Sequence, residues 1–348
     1  SLSAGDQILL SASKATPVTH DLHPTLFNVV EEMTLAAGLS KIPKIYIIND
    51  PAPNAFATGR SPETASIAVT AGLLAKLSRD ELQGVVAHEM SHILHRDILY
   101  VTLAGVMLGA IVLLSNVFLR GTFRTSTVGP SRRYAGGSRQ GGGQAVVLLV
   151  ALAAAILAPI LARLLYFALS RKREYMADAG AARLTRYPEG LASALEKISN
   201  DPAPQMAAAN QVTAPMYIAN PLKRKTIWSL SDLTSTHPPI AERIQVLRGM
   251  GSGASYTDYA QAFGRVTHRS LGVRAQDEQV PLRPTPAQEG LPDPRQQQLQ
   301  VGDLVRKINQ FTFLTCECGL GLKIPPDYKR RDLLCPRCNR PLSLPSPA

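Results

Sequence analysis

The sequence predicts a mainly α protein with a small β-meander, an inserted hairpin of two apolar helices and a small cysteine-bearing module at its C-terminal end. Three observations carry that reading. Residues 98–119 and 145–169 are long apolar runs, the first without a charge and the second with only Arg163. The segments around them show helical periodicity broken by three short extended stretches. All 4 cysteines lie beyond residue 315.

At 348 residues the chain can form one large domain or two to three smaller ones. It starts with Ser1, which is consistent with a fragment or a processed product, and the mixed, polar residues 1–20 do not read as a signal peptide.

The elements follow in order. His23 to Ala37 repeats apolar residues at helical spacing through Leu26, Val29, Val30 and Met33. Residues 44–48 read as a strand closed by Asn49-Asp50-Pro51, and residues 54–59 and 65–70 as two more, which together predict the meander. Ser78-Arg79-Asp80-Glu81 is a capping box, and the helix it opens buries a stripe from Leu82 to Leu94. Nothing in the sequence requires that helix to stop at Asp97. As helices the two apolar runs would be about 33 Å and about 37 Å long, enough to cross a hydrocarbon core, with Arg163 snorkelling near the end of the second. That length and composition favour two transmembrane helices over a hairpin buried in a soluble core. Further helices are expected over 188–199, with Pro188 at its first turn, and over 238–249. Residues 268–300, rich in Pro and Gln, read as a linker.

The net charge is +11, unevenly spread. Arg120, Arg124, Arg132, Arg133 and Arg139 share one Gly- and Ser-rich stretch without an acidic residue, read as a flexible loop over 120–144. These arginines flank apolar spans and have almost no aromatic residues among them. Juxtamembrane charge therefore explains them better than nucleic-acid binding.

The chemistry begins at His88-Glu89-Met90-Ser91-His92. Histidines four apart share one helix face and can reach one zinc ion, while the Glu between them can act on a water at that zinc. A catalytic zinc needs a third protein ligand. His95 is too close in sequence to serve easily. Glu174, with Asp178 one turn on, is the best candidate, since a carboxylate beside a ligand can fix a ligating imidazole. Taken alone, Glu174 and Asp178 would read as a solvated face paired with Arg171 or Arg173; the histidine motif tips the choice. Two spans separate His92 from Glu174, an even number, which returns the chain to the same side of a bilayer.

Four passages resemble the HtpX/Ste24 family of membrane zinc metallopeptidases, the M48 peptidases, and its HtpX branch in particular. They are Pro53-Asn54-Ala55-Phe56-Ala57-Thr58-Gly59, His88 to His92, Glu174 to Asp178, and Thr236-His237-Pro238-Pro239 with Arg243. The likeness covers about residues 15–265. It implies a gluzincin-type protease domain split as 1–97 and 170–267 around the transmembrane hairpin 98–169. It implies zinc on His88, His92 and Glu174, Glu89 as general base, and Asp178 orienting a ligand. Zinc would acidify a water and polarise the scissile carbonyl, and Glu89 would pass the proton to the leaving amine. Asn54 and its strand would bind an extended substrate by strand addition. His237 or Arg243 could stabilise the oxyanion; His237 reads equally as a helix-start residue. Family members usually carry two spans ahead of the catalytic domain, and the Ser start is compatible with their removal.

Residues 301–348 depart from the simplest members. Cys316-x-Cys318 and Cys335-x-x-Cys338 resemble the knuckles of a zinc ribbon, with residues 311–315 and 320–324 as paired strands. The first knuckle is one residue short, so two disulfides or free thiols are the alternatives to four thiolates on a second, structural zinc. A ribbon would bind a protein partner. Around the spans, Arg79, Arg96, Arg171, Lys172, Arg173, Arg183 and Arg186 outnumber the five arginines of the loop, which favours a catalytic side facing the cytoplasm. The expectation is a multi-pass enzyme of the cell membrane, in contact with the bilayer, that cleaves misfolded or damaged membrane proteins. The alternatives are a non-catalytic zinc-binding membrane adaptor and a dedicated processing protease of the Ste24 type.

Overall fold

The computed structural model describes residues 9–127, 141–202, 217–219, 237–251, 253–273, 279–284, 293–328 and 333–342. Arg132, Arg133, Arg139 and Thr236 lie outside them.

The first half is a small sheet under helices. β1 (Ala15–Pro17), β2 (Lys44–Ile48), β3 (Ala55–Thr58) and β4 (Ser66–Thr70) form it, in the order β1-β2-β4-β3. The expected meander is not what forms. β2 runs parallel to β4, with Ile47 opposite Val69, and β3 lies outside β4 and antiparallel to it, with Phe56 opposite Ala68. Every residue of β4 is buried, as suits a strand with a neighbour on each side, and the outer β3 is fully covered as well. β1 adds an outer strand that its three residues did not signal. Gly59, at φ +118, makes the return from β3, and a side chain there would meet the Ala65 Cα at 2.6 Å.

Helix α1 (Pro24–Ala36) packs on the sheet, with the His23 Nδ1 capping it by accepting from the Leu26 N–H. After the short α2 (Ala71–Lys76), α3 (Arg79–Leu94) opens on the expected capping box, with Ser78 and Glu81 bonding each other's backbone N–H. It ends sooner than expected. Arg96 takes a left-handed φ of 54° and the chain restarts as α4 (Asp97–Thr127). α4 packs against α5 (Gly141–Thr185). Both helices run further into the arginine-rich loop than their apolar stretches, so Arg120 and Arg124 are helical.

Within α5, Leu149–Thr185 contains a stretch long and apolar enough to cross a membrane, and almost none of its most apolar window is buried in the protein, whereas its last turns, from Glu174 on, enter the core. Large apolar side chains stand exposed along both helices, among them Leu103, Met107 and Leu114 on α4 and Leu157, Leu161 and Leu165 on α5. Beyond them, α6 (Pro188–Ser199), α7 (Ile240–Arg248) and α8 (Tyr256–Thr267) close the core around α3.

The stretch read as a linker is partly docked. Arg283 reaches Asp80 at 2.7 Å, and α9 (Pro294–Ile308) buries Val301 and Leu304 in the main core. Its apolar residues recur at helical spacing, a signal that the Gln-rich composition obscures. After α9 come two hairpins: β5 (Thr312–Thr315) with β6 (Gly321–Ile324), and β7 (Leu333–Leu334) with β8 (Pro341–Leu342).

Candidate active site

The site forms where α3 crosses the C-terminal half of α5. Gly180 permits the close approach, since a side chain there would meet the Ser91 Oγ at 2.1 Å. His88, His92 and Glu174 each offer one ligand atom, and these atoms all lie within 4.8 Å of one another. The two Nε2 atoms are 3.2 Å apart, and Glu174 carboxylate oxygens lie 3.8 Å from the His88 Nε2 and 3.5 Å from that of His92.

The far side of each ring explains that arrangement. The His88 Nδ1 is 3.0 Å from Asp178, and the His92 Nδ1 is 2.7 Å from Asp97. An ionised carboxylate only accepts, so each Nδ1 carries the proton and each Nε2 presents a lone pair. Two lone pairs and a carboxylate converge on one point, which is unfavourable unless a cation stands there. Two imidazoles and a carboxylate also form a donor set that zinc takes. The residues therefore fit a zinc ion.

Without a cation at that point, the surrounding carboxylates place positive charge on His92 itself, as a proton on Nε2 that a metal would displace. Burial opposes charging His92, but the Asp97 hydrogen bond and the Glu174 charge outweigh it and raise its pKa to about 9. Burial would push the Glu174 carboxyl up, yet His237 and His92 hold it well below the usual range. Burial keeps His88 neutral. Glu89 is buried too, and burial raises it to about 7 even though the Ala57 N–H bonds its carboxylate. The Glu89 Oε1 is buried without a hydrogen-bond partner among the described residues.

Arg243 is fully buried. Its Nε and Nη2 donate to the two Asp178 oxygens at 2.8 and 2.7 Å, and its Nη1 donates to the Ile218 carbonyl at 3.0 Å. Its Nη1 also lies 3.5 Å from Glu174. Its three nitrogens are all engaged, two of them in holding Asp178. His237 is buried with its Nδ1 3.1 Å from Glu174. It does not cap α7, whose N-cap is Pro239.

Asn54 is tied to the protein's own chain. Its amide donates to the Ala219 carbonyl at 2.9 Å, and the Ile218 N–H donates to the Ala55 carbonyl at 3.0 Å. Tyr217 bridges Phe56 in antiparallel fashion. This end of the β3 edge is therefore taken by the protein's own chain, and strand addition is limited to what lies past it. Asp97 is the residue that sequence reasoning missed. It follows His92 by five positions across a helix break, and its only signal was an acidic residue at the foot of an apolar run.

His95 points away from the triad, with its Nδ1 2.8 Å from the Ser91 carbonyl. In the tail, Cys316, Cys318, Cys335 and Cys338 are free thiols whose sulfurs lie within 4.8 Å of one another. The two turns match. Gly319 and Asn339 take positive φ, and their N–H groups bond the Cys316 and Cys335 carbonyls at 2.8 Å.

The model of peptidase family M48 matches residues 22–251. A protein named protease HtpX homolog from Dictyoglomus thermophilum is 51% identical over 246 residues, covering 71% of this chain and 76% of that protein. One of the same name from Caldanaerobacter subterraneus subsp. tengcongensis is 46% identical, covering 70% of this chain and 78% of that protein. Among solved structures, S. mikatae Ste24p aligns with 71% of this chain and 57% of that one, at 20% identity and a TM-score of 0.43.

Proposed function

The chain belongs to peptidase family M48, and from that premise we propose that it is a membrane-embedded zinc endopeptidase whose metal is held by His88, His92 and Glu174. The observation that carries the proposal is the inward pair of Nε2 atoms, 3.2 Å apart, with a carboxylate behind each ring.

Zinc held there would supply a Lewis acid that acidifies water and polarises a scissile carbonyl. Glu89 takes the proton at its unpartnered oxygen and returns it to the leaving amine. Asp178, fixed by Arg243, keeps the Nδ1 of His88 protonated and its Nε2 free. His237 and Arg243, both buried beside Glu174, are the oxyanion candidates.

Misfolded or damaged membrane proteins are the proposed substrates. The site sits at the ends of α4 and α5, whose exposed apolar faces suit lipid contact. Two membrane passes and a catalytic side in the cytoplasm follow from the apolar runs and from the basic residues around them. The four cysteines would hold a second, structural zinc, and the small module they close would bind a protein partner.

The test is casein and self-cleavage by zinc-loaded protein in detergent, wild type beside Glu89→Gln. The variant should bind zinc and lose about 10²–10⁴-fold in rate. Equal rates would remove Glu89 from the mechanism. Silence from both, with zinc bound, would favour the adaptor reading or a protease dedicated to a substrate not yet offered.

A further inference from the structure

We propose that Asp97 is a positioning residue for His92, and that Arg173 makes its setting depend on how α4 packs against α5. The proposal rests on the zinc reading of His88, His92 and Glu174.

The geometry starts from the helix break. In an unbroken helix a residue five positions after His92 would lie about 140° around the axis and face away from it. The left-handed Arg96 restarts the chain as α4 and returns Asp97 to within 2.7 Å of the His92 Nδ1. The other Asp97 oxygen is 2.6 Å from the Arg173 Nη2. Each carboxylate oxygen thus has its own partner, and the group cannot turn toward one without leaving the other.

Arg173 precedes Glu174 on α5, so the two side chains leave the helix about 100° apart. Glu174 faces the metal position while Arg173 faces α4. There its guanidinium also lies over the Tyr100 ring, 5.4 Å from the centroid. Asp97 and Arg173 are 14% and 18% exposed, so the pair is shielded from the screening that weakens surface pairs. A displacement of α5 along α4 would move Glu174 directly and His92 through Arg173 and Asp97. Two of the three ligands would shift together. The packing of the apolar helices is thereby coupled to the affinity of the metal site.

The experiment uses the full chain in detergent micelles and measures metal affinity by competition with a chromogenic chelator. Cobalt loading is read by absorbance. Thiolate-to-cobalt charge transfer and its accompanying d–d bands mark the cysteine site, and metal at the His/Glu site is read as the difference between each protein and its His88→Ala counterpart. Asp97→Ala should weaken metal binding at the His/Glu site about 10–100-fold, and Asp97→Asn, of the same shape, should weaken it less. Arg173→Ala, which removes no ligand atom, should weaken it in the same direction. The double variant should be no weaker than Asp97→Ala, because Arg173 acts through Asp97. Wild-type affinity in Asp97→Asn and Asp97→Ala, both shown folded by circular dichroism, would overturn the positioning role. An unchanged Arg173→Ala, or additive losses in the double variant, would overturn the coupling to helix packing. A His88→Ala variant separates failure of the premise: if it matches the wild type, the zinc reading itself has failed.

Discussion

The protein holds two ligand clusters that are built in opposite ways. His88, His92 and Glu174 come from two helices with an apolar hairpin between them, and their support is buried: Asp178 and Arg243 are fully enclosed, and the helices contribute Met90, Ala179 and Ala182 to the main core. The first and last ligands of the cysteine cluster, Cys316 and Cys338, are 22 positions apart, and the cluster is framed by strands of four and two residues. Strands that short do not hold themselves. In the first cluster the fold positions the ligands. In the second, strands so short leave the ligands to position the fold, so on the proposed reading metal would be catalytic in one and structural in the other.

Metal removal is the strongest way to break that comparison. Structural zinc contributes about 10–16 kcal/mol of apparent binding energy in small metal-folded modules. Stripping the protein with a chelator should therefore unfold residues beyond α9, seen as rapid protease cleavage there by mass spectrometry. The helices around α3 should keep their circular dichroism. A tail that stays protected without metal, or a catalytic half that unfolds first, would reverse the assignment.

The next largest effect lies in the catalytic half. Arg243→Leu would leave the Asp178 carboxylate buried beside His88 without its guanidinium. Breaking a buried pair from one side costs about 3–5 kcal/mol. Denaturant melting of the metal-free protein should show that loss, which separates it from any effect on zinc. Arg243→Lys should recover little, since an ammonium cannot bridge both Asp178 oxygens and the Ile218 carbonyl in one plane. A metal-free stability close to wild type would mean that this cluster, too, depends on its metal.

What could be read from the chain follows the same division. The histidine pair was legible because it repeats at one turn of a helix with its own capping box, all within residues 78–94. Glu174 was legible only through that pair, because nothing local distinguishes it from a solvated face. The sheet was misread because side-chain alternation marks strands but does not say that β4 would lie between β2 and β3. Asp97 was missed because helical spacing places it on the wrong face, and only the break at Arg96 corrects that. Arg243 was legible as a motif member. Its role was not, because that depends on Asp178, 65 positions away.

The smallest effect tests where the two regions meet. Sequence composition places the boundary at about residue 300, yet α9 continues to Ile308 and carries Val301 and Leu304 into the main core. Gln297 adds hydrogen bonds to the Leu74 and Leu77 carbonyls. Past Ile308 the contacts change in kind. Lys323 pairs with Asp303 across groups that are 36% and 35% exposed, and Lys307 lies over the Phe313 ring at 5.8 Å. Pairs this exposed contribute about 0–1 kcal/mol. Lys323→Ala should therefore leave the melting of the catalytic half unchanged and lower the metal affinity of the cysteine cluster by no more than about fivefold, a change of that same size. A loss of several kcal/mol in the catalytic half would show that the hairpins are continuous with its core, and that α9 joins the two clusters into one cooperative unit.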